Sequence, residues 1–439
     1  MKVCLISPPF PFSGRVPMAP PILEYLGALT LRAMPDAKLT LIDANVREPM
    51  PEDIDADLVG ITSMTATVTW AYRFGDDLRR FGKKVVLGGI HPSALPDEAK
   101  GHADSIVVGE AESVWADVLN DALKGRLKPF YRGERLPLDD IPFPLAGVLK
   151  GNYKFRAVFT ARGCPYRCTF CSVRKFFGDT IRYRPIDKVV EEIERCTGKV
   201  YFNGDDNIWG GDIRRSIELF TEISKGTRKW WYGFGDLRAT QEPNGDRLLK
   251  AARDSGLFSV WVGWETLSQR MLNMYRASAK QGKNREDAVK KIKGYGIDVT
   301  LFVVIGGRED TTADFDRIIE LAERLGVGIH PVLLTPLPGT ELYEEYKPYL
   351  FKGKGWEYYA GVHAVFEHPT MTPKERESMF YKASLRLLSK TRIMKHLFDI
   401  RLKGFPMTHL LSLMKQIPMK RAMEKAYKNW KAENYRFTK

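Results

Sequence analysis

Arg162-Gly163-Cys164-Pro165-Tyr166-Arg167-Cys168-Thr169-Phe170-Cys171 places three thiols within eight residues, directly after an apolar run. This Cx3Cx2C spacing reads as a loop that holds a metal centre. Three thiolates this close can each bind a different iron of one four-iron (4Fe-4S) cluster, which leaves the fourth iron without a protein ligand and open to substrate. A structural zinc site would want four protein ligands at paired spacings, and no second CxxC pair or nearby His follows.

Downstream of the thiols, short apolar strands alternate with helical stretches, the strands falling at 157–160, 200–203, 230–233, 259–264, 298–305 and 329–334. Six such units suggest a partial (β/α)6 barrel of the TIM type, whose working residues sit at the C-terminal ends of its strands. The residues there are distinctive. Asn203-Gly204-Asp205-Asp206-Asn207 puts two carboxylates at one strand end, an arrangement that also suits a helix cap. Gly235-Asp236-Leu237-Arg238 offers a cation that suits either an anionic group or a surface ion pair. Glu265 closes the fourth strand, Gly306-Gly307 the fifth, and a Pro-Gly turn, Leu334-Thr335-Pro336-Leu337-Pro338-Gly339-Thr340-Glu341-Leu342-Tyr343, follows the sixth.

Upstream, residues 1–131 show the same alternation, with strands at 3–6, 39–42, 58–61, 85–87 and 106–108. Strands alternating with helices imply a parallel sheet with right-handed crossovers, a Rossmann-like α/β unit that takes ligand at the C-terminal strand ends. Those ends are small and polar: Thr62-Ser63-Met64-Thr65, Gly88-Gly89-Ile90-His91-Pro92 and Gly109-Glu110-Ala111-Glu112. A glycine pair lets backbone approach a flat or bulky ligand, and hydroxyls can pair with its amides.

These signals divide the chain into a first unit at 1–131, a proline-bearing linker at 132–151, a barrel at 152–346 and a helical C-terminal region at 347–439. Trp356, Tyr358, Tyr359, Phe366 and Met371 read as a helical lid over the barrel mouth. From Ser389 the chain is basic and amphipathic, with Ile393, Leu397, Phe398, Leu402, Phe405, Met407, Leu410, Leu411, Leu413 and Met414 among Lys and Arg. Such a stretch packs on its own protein, lies on an anionic membrane or holds a partner.

With 439 residues, 44% of them hydrophobic, the composition is that of a globular protein of two or three domains. No apolar run reaches the roughly 18 residues of a membrane span, and the apolar start of the chain is too short for a signal peptide. Five Cys, three of them clustered, argue for a reducing compartment, so the cytoplasm is the expected location. The formal charge of +14 is spread along the chain rather than gathered in one arm. That pattern suits a solvated basic surface better than a nucleic-acid site.

The Cx3Cx2C spacing, the aromatic before its last Cys, the Arg-Gly lead-in and the preceding strand together resemble the radical S-adenosylmethionine (radical SAM) enzymes. The upstream series of loops, in its place ahead of the barrel, resembles the cobalamin-binding domain of one large subfamily of them. The resemblance implies a 4Fe-4S cluster on Cys164, Cys168 and Cys171, whose open iron chelates S-adenosylmethionine. It implies SAM contacts from Asp205, Asp206, Glu265, Arg238, Gly306 and Gly307, and cobalamin contacts from Ser63, Thr65, Gly88, Gly89, His91, Gly109 and Glu110. The Asp-x-His-x-x-Gly motif of other cobalamin proteins is absent, which implies cobalamin without a histidine lower ligand.

The activity implied is C-methylation of an unactivated carbon: a 5′-deoxyadenosyl radical takes hydrogen from substrate, and methylcobalamin supplies the methyl group. No general base is needed at an sp3 carbon. Relatives with the same cofactors do ring closure or rearrangement instead. A reading of another class is a basic nucleic-acid or membrane binding protein with a structural cluster. The resemblance leaves the substrate open among tetrapyrroles, lipids, peptides and antibiotic scaffolds, and implies an electron donor such as ferredoxin or flavodoxin.

Overall fold

The computed structural model describes residues 1–11, 18–226, 229–389, 391 and 406–435. Two six-stranded parallel sheets follow one another along the chain. The first comprises β1 (Lys2–Ser7), β2 (Lys38–Asp43), β3 (Leu58–Thr62), β4 (Lys84–Gly88), β5 (Ser105–Val108) and β6 (Phe130–Arg132), in the order β2-β1-β3-β4-β5-β6. Val3, Cys4, Leu5 and Ile6 are all buried, as a central strand covered on both faces requires. The sixth strand, Phe130–Arg132, was not among those expected: three residues beside Pro129 are too few to show a period of two. Winding reverses between β1 and β3, so the crevice for a ligand lies over the C-terminal ends of the central strands.

The second sheet comprises β7 (Arg156–Val158), β10 (Val200–Asn203), β11 (Trp230–Gly235), β12 (Leu257–Glu265), β13 (Asp298–Ile305) and β14 (Gly328–Leu333), paired in that order. Each neighbour is the next βα unit, so the sheet curls one way into an open barrel. Its convex face packs Val260, Val262, Leu301 and Val303 under the surrounding helices. A two-stranded hairpin, β8 (Ala161–Arg162) with β9 (Arg182–Tyr183), stands between β7 and β10 and encloses the thiol loop.

Beyond the barrel, Trp356–Tyr358 is a single 3-10 turn and Phe366 forms an isolated bridge with Leu350, so the aromatic segment is not a helical lid. Trp356 instead packs on the first unit, its Nε1 donating to Glu98 Oε1 at 2.8 Å. Regular helix begins at Pro373–Leu387, where Thr372 and Glu375 form a capping box and Pro373 takes the first turn. A helix at Pro406–Tyr435 packs on its own protein: Trp430 is buried and donates to Glu377 Oε2 at 2.6 Å, and Ser412 Oγ donates to Asp298 Oδ2 at 2.7 Å. Ile393, Leu397, Phe398, Leu402 and Phe405 lie outside the described residues. Among the described residues no helix is long and apolar enough to cross a membrane.

Candidate functional site

The thiol loop is stitched into the barrel mouth from several sides. Gly163 has φ +96°, and a Cβ there would stand 2.5 Å from the Thr180 carbonyl across the hairpin, so the turn into Cys164 needs glycine. Thr169 N–H donates to Tyr275 O at 3.0 Å, and Leu342 N–H donates to Thr169 O at 3.0 Å. The Pro-Gly turn before Leu342 therefore braces the thiols, a role the string alone did not disclose. The buried Asp236 carboxylate, directly after β11, accepts from Asn207 Nδ2 at 2.7 Å and Ala239 N–H at 2.8 Å.

Cys164, Cys168 and Cys171 are free thiols, and all three feel the charge of one partly buried ammonium, Lys280. Lys280 pairs with Glu265 at the end of β12. Among the described residues no group of three or more His, Cys, Asp or Glu side chains converges as ligands of a single ion. Cys4 is sealed inside the first sheet and Cys196 ends the helix Ile186–Arg195, both away from the loop. The donor set, three thiols with no fourth Cys or His beside them, fits a cluster that keeps one iron open.

The two adjacent carboxylates divide their work. Asp205 is buried and accepts from Thr160 N–H at 2.6 Å, from Ala161 N–H at 3.0 Å and from the Thr160 hydroxyl, fastening β10 to the start of the hairpin. It is an internal tie rather than a free contact for SAM. Asp206 accepts from Gly163 N–H at 3.3 Å and faces the cleft between the two sheets. Burial pushes both carboxyls up to about 6, and for Asp206 the neighbouring Asp205 adds to it. Arg238 lies on the surface, donating through Nε to Glu242 at 3.1 Å, so it does not answer a ligand in the mouth. Gly306 and Gly307 directly follow β13; Gly307 N–H donates to Asp310 Oδ2 at 3.0 Å, and burial holds that carboxyl up at about 6.

The cleft holds about 340 Å³ and is lined by both units: Ser63, Gly88, Gly89 and Gly109 on one side, Arg162, Phe177 and Asp206 on the other. Ser63 Oγ is buried there without a hydrogen-bond partner, an orphan that a polar ligand atom would satisfy. Gly89 has φ +101°, and a Cβ would meet Ser63 O at 2.5 Å, so its glycine is required by the loop itself. Glu110 borders the cleft, yet its carboxylate is held by Arg162 Nη1 at 2.7 Å and by Arg182, which makes it an interdomain tie. Thr65 is buried at the start of a 3-10 turn and is not among the lining residues. His91 is fully buried and turned away from the cleft: Nε2 lies 3.4 Å from Glu98 Oε1, and its ring meets Trp356 edge-on at 4.9 Å. No histidine is among the described residues lining the cleft.

Lys280 went unread in the sequence because one lysine in a polar loop looks like any surface lysine. Arg162 was visible only as part of the lead-in to the thiols.

Comparison with known proteins agrees with this geometry. The Radical SAM superfamily matches residues 158–322, and the B12 binding domain matches residues 23–119, in the order of the two sheets. Bacteriochlorophyllide d C-8(2)-methyltransferase of Chlorobaculum tepidum is 29% identical over 374 residues, 79% of this chain and 81% of that protein. The anaerobic magnesium-protoporphyrin IX monomethyl ester cyclase of Rubrivivax gelatinosus is 26% identical over 70% of this chain and 61% of its own. Among solved structures, the radical S-adenosylmethionine methyltransferase TsrM of Kitasatospora setae, with cobalamin and a [4Fe-4S] cluster bound, aligns at a TM-score of 0.70 and 15% identity. That alignment covers 98% of this chain and 99% of TsrM.

Proposed function

We propose, from the premise that this chain is a radical SAM enzyme with an N-terminal B12-binding domain, that it is a cobalamin-dependent C-methyltransferase acting on an unactivated carbon. One observation carries the reading: the cleft over the first sheet is closed on its far side by Arg162 and Asp206, residues of the thiol loop and of the strand end beside it. The two cofactors would thus face each other across one space. Bound there, cluster and SAM would supply a carbon-centred radical and cobalamin a transferable methyl group.

The chain's own work is to hold and to shield. Cys164, Cys168 and Cys171 would bind the cluster, and Asp206 and Glu265 would orient SAM, with Gly306 and Gly307 letting backbone come close. Asp205 fixes the loop on which those contacts depend. Ser63, Gly88, Gly89 and Gly109 would line the cobalamin side. Phe159, Phe176 and Phe177 narrow the cleft and exclude water, which strengthens every charge contact inside it.

A reducing, cytoplasmic location and an acidic one-electron donor of the ferredoxin or flavodoxin class belong to the same reading. Anaerobic reconstitution with iron, sulfide and hydroxocobalamin tests it. The expected result is cobalamin retained through gel filtration, reductant-dependent 5′-deoxyadenosine, and a product heavier by one methylene. Ring closure without mass gain would transfer the assignment to the cyclase chemistry of the Rubrivivax relative. Cleavage of SAM by protein that retains no cobalamin would remove the methyltransferase reading.

A further inference from the structure

The two faces of the Pro406–Tyr435 helix do different things. Thr408, Ser412 and Trp430 are buried against the barrel and the Pro373–Leu387 helix, with Met423 and Tyr427 packed beside them. Ser412 and Trp430 are eighteen residues apart, about five turns at 3.6 residues per turn, so they share one face. Leu410 and Lys428 stand at the same interval on the opposite face, and Ile417, Arg421 and Lys425 fall between them on that side. All five are exposed, Leu410 at 51% and Ile417 at 46%. Arg421, Lys425 and Lys428 form no ion pair with another described residue, and Glu424, the acid among them, is met by Lys420 at 3.8 Å.

The charge of the whole chain points to the same place. Lys and Arg are spread along it, but Asp and Glu thin out at its end. From Ser389 to Lys439 there are thirteen Lys and Arg against three Asp and Glu, so this end carries ten of the fourteen net positive charges.

A single exposed Leu or Lys is ordinary surface. Two apolar side chains and three cations aligned on one stripe, on a helix whose other stripe is already packed, make an amphipathic face that is apolar toward Pro406 and basic toward Tyr435. We infer that this face lies on an anionic phospholipid surface, with Leu410 and Ile417 entering the acyl boundary and Arg421, Lys425 and Lys428 at the headgroups. A nucleic acid would leave Leu410 and Ile417 uncovered, since its affinity comes from phosphate contacts. A second copy would set like charges against each other across a two-fold axis. A redox protein gains nothing here, because Ser412 donates to Asp298 at the first residue of β13 and the thiol loop lies at the other end of the barrel. The eight residues of that strand span about 26 Å. Since no helix among the described residues is long and apolar enough to cross a membrane, the contact is a peripheral one.

The test is co-sedimentation of the reconstituted full-length protein with vesicles, made of equal parts phosphatidylcholine and phosphatidylglycerol in one arm and of phosphatidylcholine alone in the other. Binding to the mixed vesicles only, weakening as salt is added, is the expected result. Each cation near an anionic surface changes partition roughly fivefold. The combined changes Arg421→Gln, Lys425→Gln and Lys428→Gln should therefore lower partition at least tenfold while iron and cobalamin content stay unchanged. Ile417→Trp should add emission, relative to wild type, that shifts to shorter wavelength on mixed vesicles. Equal binding to both vesicle types, binding to neither at low salt, wild-type partition of the triple variant, or unshifted emission from Ile417→Trp would each overturn the inference. Bulk transfer RNA or flavodoxin binding more tightly than mixed vesicles, or a dimer in gel filtration, in each case lost in the triple variant, would overturn it by giving the face to a nucleic acid, an acidic protein or a second copy. None of these readings depends on SAM cleavage, so the methyltransferase reading and this one can fail separately.

Discussion

The mostly buried ammonium of Lys280 pairs with the buried carboxylate of Glu265 beside the three thiols of Cys164, Cys168 and Cys171. The ammonium is the one charge that all three sulfurs share, and Glu265 holds it there from the end of β12 with φ +67°. Removing one member of a buried pair strands the other, at about 3–5 kcal/mol. Lys280→Met should therefore lower the urea midpoint of the unloaded protein and weaken SAM binding, with Lys280→Arg recovering part of both. Equal stability in Met and wild type, measured by urea unfolding, would contradict the pairing.

The thiols themselves give a sharper division. Cys164→Ala, Cys168→Ala and Cys171→Ala should each abolish a stable cluster, whereas Cys4→Ala and Cys196→Ala should keep full iron content. Iron counting and absorbance after anaerobic reconstitution check this. A triple variant at the loop that still holds four irons would refute the ligand set.

Asp205 and Asp206 should separate by what is lost. Asp205→Ala leaves two backbone N–H groups and a hydroxyl without their acceptor, and should cost about 2–4 kcal/mol of stability. Asp205→Asn, which keeps an acceptor oxygen, should recover most of it. Asp206→Ala should cost little stability and instead weaken SAM binding roughly ten- to a hundredfold, as loss of a charge-assisted contact does. Urea melts and equilibrium SAM binding on the same preparations read both.

Arg162 spans the two units, reaching Glu110 at 2.7 Å and Glu112 at 2.6 Å. Arg162→Met should lower cobalamin retention and iron content together, because both loops lose the same anchor. Loss of iron with cobalamin untouched, on parallel metal and absorbance assays, would show that the tie serves only the thiol side.

Asp310 supplies a pH signature away from the cluster. Burial first, then the nearby Asp314 and Glu309, hold its carboxyl up at about 6, and Gly307 N–H lowers it in part. A carboxyl raised on folding binds more protons folded than unfolded, so it disfavours the fold as pH rises through about 6. Asp310→Asn should thus stabilise the protein at pH 7 by about 1–3 kcal/mol and by progressively less toward pH 5. A pH-independent difference between Asn and wild type in thermal or urea melts would rule this out.

Much of the fold was legible because its strands are continuous apolar runs bounded by Gly, Asp and Pro. All six barrel strands and five of the first sheet lie within a few residues of their expected places, and only the three-residue Phe130–Arg132 edge was too short to read. The site was legible in kind but not in detail. Asp205 and Asp206 are indistinguishable as letters, yet one is consumed by backbone N–H groups and the other faces the cleft. Arg238 and His91 have the right chemistry on the wrong sides of their elements, a fact set by local backbone direction. Lys280 matters only because the chain folds back beside Cys168, and no spacing rule connects residues that far apart.

The polar contacts joining the two units also bear on how freely such units can be exchanged between proteins. Glu24 meets Arg156, Tyr25 meets Glu192, and Glu110 meets Arg162 and Arg182, in each case with at least one partner buried. A first unit transplanted from a relative would have to bring carboxylates at 24 and 110 and a hydroxyl donor at 25, or leave arginines and Glu192 of the recipient barrel desolvated and unmatched. Chimeras made at the 132–151 linker should therefore assemble only when the seam charges travel as a set, so the modularity apparent along the chain stops at the surface where its halves meet.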